Sequence, residues 1–81
     1  MVARFAGKAA NDYADAPADV RKAFKKQLGL LLADLRHPSL HAKKYSEAED
    51  VWQARVNRNW RFYFTIQGDA YEIITIIPHP K

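Results

Sequence analysis

Eighty-one residues, 48% of them hydrophobic and 27% charged, are enough for one domain with a modest core and too few for two. The absence of cysteine excludes disulfides and thiolate metal sites, so stability must come from apolar packing, completed where necessary by a partner protein. Thirteen lysines and arginines against nine acids leave a net charge of +4, which suits a polyanionic partner but serves equally well to solubilise a small domain.

Residues 1–81 read as a single domain. Its start, Met1-Val2-Ala3-Arg4-Phe5, lacks the apolar run of a signal peptide. No window approaches the ~18 apolar residues of a membrane span, so a cytoplasmic protein with no membrane partner is expected. Val2 to Phe5 can form a very short first strand, and Ala6, Ala10 and Tyr13 suggest a short helix after it. The next helix is better marked: Val20, Phe24, Leu28, Leu31 and Leu35 draw one apolar stripe, widened by Leu30 and Leu32. Pro17 suits its first turn, Asp19 favours its N-terminal dipole, and Pro38 predicts an end near Arg36. Gly29 interrupts it, which predicts a close backbone approach or a bend. From Ser39 to Asp50 the periodicity disappears, and the stretch reads as a polar connection.

Beyond Asp50 the period becomes two. Trp52, Ala54 and Val56 alternate with Gln53 and Arg55; Trp60, Phe62, Phe64 and Ile66 alternate with Arg61, Tyr63 and Thr65. These are two strands joined at Asn57-Arg58-Asn59, and a third, Ala70 to Ile77, follows the turn pair Gly68-Asp69. The predicted fold is therefore α+β, with one or two N-terminal helices on one face of a small antiparallel sheet. A three-residue loop sets Arg55 opposite Arg61 and Ala54 opposite Phe62, which gives an apolar face and an arginine face. The second hairpin then puts Glu72 beside Thr65 and Ile74 beside Tyr63, with Ile76 also on the arginine face.

Nucleophilic cysteine chemistry is impossible here, and no glycine-rich phosphate loop, G-x-S-x-G elbow or H-E-x-x-H motif occurs. His37, His41 and His79 lack a local carboxylate to complete a metal ligand set, so neither metal nor cofactor is called for. What does assemble is Arg55, Arg61 and Tyr63 on one sheet face, with Lys43 and Lys44 entering from the preceding connection and His79 just past the last strand. Arginine grips phosphate through a planar fork, tyrosine stacks on bases, and histidine transfers protons near neutral pH. RNA scission by 2′-hydroxyl attack needs such groups: a base for the hydroxyl, cations for the charge growing on the phosphorane, and an acid for the leaving 5′-oxygen. The same arginines would also suit a solvated strand face paired with Glu72, Glu47 or Glu49, the lysines a solvated loop, and His79 an ordinary C-terminal residue.

The strings Trp52-Gln53-Ala54-Arg55-Val56 and Asn59-Trp60-Arg61-Phe62-Tyr63-Phe64, closed by Pro78-His79, resemble the RelE/ParE superfamily of toxins from type II toxin–antitoxin modules. Arg36-His37-Pro38-Ser39-Leu40 with Lys43-Lys44 looks like the helix exit and loop of its RelE-like branch, so that the resemblance covers about the whole chain. It implies a strand, two helices and an antiparallel meander, an antitoxin partner, and cleavage of mRNA in the ribosomal A site. The ParE-like alternative is non-enzymatic inhibition of DNA gyrase, and a third is a fold relative without toxicity. Position by position, Arg61 matches the family's strand arginine at the scissile phosphate, Arg55 a basic position one strand earlier, and His79 the region of a C-terminal acid or base. Lys43, Lys44, Tyr63 and Lys81 are the expected RNA contacts. Gln53 stands where some active members have lysine, and the sequence reaches Lys81 without the terminal tyrosine or basic tail of several members.

Overall fold

The computed structural model describes residues 1–79. It runs β1 (Val2–Phe5), α1 (Gly7–Asp15), α2 (Ala18–Ala33), a 3-10 turn (Pro38–Leu40), β2 (Lys43–Ser46), β3 (Val51–Arg55), β4 (Trp60–Gln67) and β5 (Ala70–Pro78). The strands form one sheet in the order β1-β5-β4-β3-β2. Helix α2 lays its apolar stripe on the sheet, with the Phe24 ring meeting Phe62 edge to face at 5.1 Å and Tyr13 of α1 meeting Phe24 at 5.9 Å. Phe24, Leu31, Leu40, Phe62, Phe64, Ile73 and Ile76 are fully buried between the layers. The α+β class and the placement of the helices are those expected.

The sheet departs from expectation at both edges. It is mixed, because β1 runs parallel to β5, with Val2 opposite Ala70 and Phe5 opposite Ile73. A parallel neighbour requires a long crossover, here the whole intervening chain, and four residues without alternation carry no sign of so distant a partner. At the other edge, the expected polar connection contains β2, with Lys43 opposite Gln53 and Lys44 opposite Trp52. Lysine on an outer strand discourages pairing with another chain, and it also hides the strand from any hydrophobic pattern.

Helix α2 stops at Ala33 rather than near Arg36. Asp34 adopts an extended backbone and its carboxylate accepts the Arg36 amide at 3.0 Å, a local bond that competes with another helical turn. Gly29 is exposed, and nothing lies within 4 Å of where its Cβ would stand. The close approach expected there is absent, and the helix runs on through it.

Asn57 builds the β3–β4 connection: its Oδ1 accepts the amides of Asn59 (2.8 Å) and Trp60 (3.0 Å). Arg55 then opposes Arg61 as the alternation predicts. The β4–β5 turn also forms as predicted, with Gly68 at φ 61°. Farther along that hairpin the register shifts. Glu72 does oppose Thr65, but Tyr63 faces Thr75 instead of Ile74, because a bulge interrupts the ladder between Tyr63 and Phe64. Ile76 therefore opposes Phe62 in the core and not on the arginine face. The run Ile73-Ile74-Thr75-Ile76-Ile77 is apolar in both phases of a two-residue period, so no pattern marks where the phase changes.

Candidate phosphate-binding site

The arginine face ends in an open cleft lined by Arg55, Arg61, His79, Lys43, Gln53 and His41. Separate hydrogen bonds fix the backbone beneath Arg55 and His79 and the side chain of Arg61. Buried Gln27 of α2 donates its amide nitrogen to the carbonyls of Arg55 (2.9 Å) and Ser39 (3.0 Å), which ties the end of β3 and the 3-10 turn to the helix. Arg61 Nη1 donates to the carbonyls of Asn57 (2.8 Å) and Trp60 (2.9 Å), so the loop shaped by Asn57 also orients the guanidinium. The His79 amide donates to the Asn59 carbonyl at 2.7 Å, which brings the imidazole alongside the same loop.

The cleft is rich in positive charge. Among the described residues no ion pair joins Arg55 or Arg61 to a carboxylate, and the buried Nε of Arg55 has no hydrogen-bond partner. Burial, and then the Arg55 charge, push Arg61 below the usual guanidinium value, although it stays cationic at any physiological pH. Neither arginine is ion-paired with Glu72, Glu47 or Glu49. Arg55 and Arg61, opposed across β3 and β4 and without an ion-paired carboxylate among the described residues, are of the residue type that grips oxyanions through a planar fork.

The other predicted site residues divide. Lys43 is exposed and lines the cleft. Lys44, expected beside it, turns to the opposite face: it pairs with Asp50, which raises its pKa, and its ammonium lies 5.1 Å from the centre of the Trp52 ring. Adjacent residues of a strand point to opposite faces, so once β2 forms the two lysines cannot act together. Tyr63 shares the face of the arginines, with its hydroxyl accepting from Gln53 Nε2 at 2.8 Å. Lys81 lies outside the described residues.

Two contributors went unread in the sequence. Gln27 gave no signal beyond a polar residue within an apolar helix. His41, considered there only as a metal ligand, lines the cleft from a left-handed backbone conformation (φ 48°) just after the 3-10 turn. The cleft therefore carries two imidazoles, His41 and His79.

No family model matches the sequence, and no curated protein matches it. Solved structures do. A YoeB/ParE toxin from Agrobacterium tumefaciens superposes with a TM-score of 0.82 at 14% identity, over 99% of this chain and 100% of that one. The isolated RelE toxin of E. coli gives 0.79 at 17% identity, covering 99% and 85% of the two chains. RelE in the RelB–RelE antitoxin–toxin complex of Methanococcus jannaschii gives 0.75 at 18%, covering 93% and 88%. The fold is that of the RelE/ParE toxins.

Proposed function

We propose that the chain is the toxin of a toxin–antitoxin pair and that it cuts mRNA in the ribosomal A site. The observation that carries this reading is the opposed pair Arg55 and Arg61, without a carboxylate partner among the described residues, in a cleft that also holds two imidazoles. Arg55 and Arg61 grip the scissile phosphate, and their charge grows in value as the phosphorane forms, which is the condition for accelerating the reaction. His79 transfers a proton. The reaction needs both a base at the 2′-hydroxyl and an acid at the 5′-oxygen, and His41 is the second group of the cleft able to serve. Lys43 adds a cation at the cleft mouth.

The likeness to the RelB–RelE antitoxin–toxin complex supports an antitoxin partner. Val2 and Phe5 on the outer strand β1 are exposed, and an apolar groove lined by Phe5, Ala10, Tyr13, Phe24 and Leu28 adjoins them. An antitoxin strand or helix would be held there. Induction of the gene followed by mapping of mRNA 5′ ends tests the function. Translation-dependent cuts within codons are expected; DNA damage without such cuts would instead identify a gyrase inhibitor.

A further inference from the structure

On the outer face of the sheet, beside the arginine cleft, Tyr45 and Tyr63 meet edge to face with ring centroids 4.9 Å apart and planes at 74°. Tyr45 is 63% exposed, so its ring is open to a ligand. The corner it makes with Tyr63 is continued by Val51, Ile74 and Ile77 into a shallow, mainly apolar trough whose lining also includes Ser46, Glu49 and Thr75.

Two irregularities build this corner. In β2 the ladder slips between Lys44 and Ser46, which inserts Tyr45; in β5 it slips at Ile74, opposite the step from Tyr63 to Phe64. A bulge sets an extra side chain on one face and is a common way to re-aim residues beside a functional site. Here both bulges add their extra residue to the same outer face, on either side of Tyr63. Gln53 ties the corner to the cleft: it lines the cleft and donates to the Tyr63 hydroxyl.

We propose that the Tyr45–Tyr63 corner receives the nucleobase adjoining the phosphate held by Arg55 and Arg61. Tyr63 follows Arg61 by two residues on one strand and one face, a separation of about 6.8 Å. That is a stride suited to a base next to its phosphate in an extended strand. A base entering the corner stacks on one ring and meets the other at its edge, both favourable geometries for π systems. Stacking tolerates any base, so the site supplies affinity and register and demands no single sequence. The exposed ring of Tyr45 is the working surface, and Tyr63, held by Gln53, is its support.

This inference rests on the ribonuclease reading, and the test separates the two. Single-turnover cleavage is measured on ribosomes programmed with an intact A-site codon, or with one abasic nucleotide at each codon position in turn. Tyr45→Ala is expected to slow cleavage of the intact codon by about tenfold to a hundredfold, the range of lost base–aromatic stacking, while Tyr45→Trp retains the rate. At one codon position, base removal should slow the wild type to a similar degree and slow Tyr45→Ala no further. Independent, multiplying losses at every position would overturn the platform, as would wild-type cleavage by Tyr45→Ala, including a variant that only loses antitoxin binding. Tyr45→Leu, which keeps apolar bulk, guards against misfolding, and a wild-type rate for it would likewise overturn the proposal. If the wild-type protein leaves the intact codon uncut, the ribonuclease reading falls and the platform with it.

Discussion

Gln27, in the middle of α2, donates its side-chain amide to the backbone carbonyl of Arg55, 2.9 Å away and 28 residues later in the chain. The one buried polar side chain of that helix thus holds the strand end from which a proposed phosphate ligand projects. Replacement by leucine leaves the half-buried Arg55 and Ser39 carbonyls without this donor. Gln27→Leu is expected to lose about 1–3 kcal/mol of stability, as an unsatisfied buried acceptor costs, with urea denaturation as the measurement. Cleavage should fall more than the unfolded fraction accounts for, because β3 is no longer anchored.

Arg61 should resist even a conservative change. Lysine keeps the charge but cannot direct a planar fork at both the loop carbonyls and a phosphate. Arg61→Lys is expected to lower the single-turnover cleavage rate by about 10²–10³, the usual effect of losing one transition-state donor. A folded Arg61→Lys variant that cleaves at the wild-type rate would remove Arg61 from the mechanism.

His79→Gln keeps a side chain of similar reach that cannot transfer a proton. Cleavage on programmed ribosomes is expected to slow by on the order of a hundredfold, while co-sedimentation with ribosomes is unchanged. An unaltered rate would transfer the proton-moving role to His41.

Asp12 of α1 predicts a pH dependence of stability. Its Oδ2 accepts from the Ile76 amide (3.0 Å), the Thr75 hydroxyl (2.5 Å) and Lys8 (3.0 Å), closing the edge of β5 where β1 has ended. Burial opposes its charged form, but the bonds from Thr75, Ile76 and Lys8 outweigh that and hold the carboxyl below its usual value. A pKa depressed by folding gives stability that is present above the unfolded value of about 3.9 and disappears as pH falls through the folded one. Asp12→Asn should therefore be less stable than wild type at neutral pH, by about 1.5–3 kcal/mol for bonds to a charged acceptor. The deficit should shrink below about pH 4 in paired urea titrations.

Gly29 offers the opposite sign. It is exposed within a continuous helix with open space at its Cβ position, so Gly29→Ala should stabilise by about 0.5–1 kcal/mol. For a domain of this size that raises the melting temperature by about 2–8 °C, measurable by circular dichroism. Cleavage should be unaltered, because Gly29 lies outside the cleft.

Local periodicity alone determined the stripe of α2, the alternation of β3 and β4, and hence the opposition of Arg55 and Arg61. Those relations depend only on helical and strand geometry and on the length of one loop, and all of them are written within a few consecutive residues. Tertiary structure decided what no window of sequence contains. The parallel seating of β1 depends on a partner nearly the whole chain away, and β2 exists because β3 offers it a ladder, which in turn separates Lys44 from Lys43. The bulges in β2 and β5 arise where a strand must satisfy the core on one face and a neighbour on the other. They send Ile76 inward and set Tyr45 and Ile74 beside Tyr63, while Gln27 reaches from the helix to place the strand end that carries Arg55. Hydrogen bonds and packing between distant segments outweigh the preferences of four or five residues, so the candidate arginines were legible in advance and the frame that aims them was not.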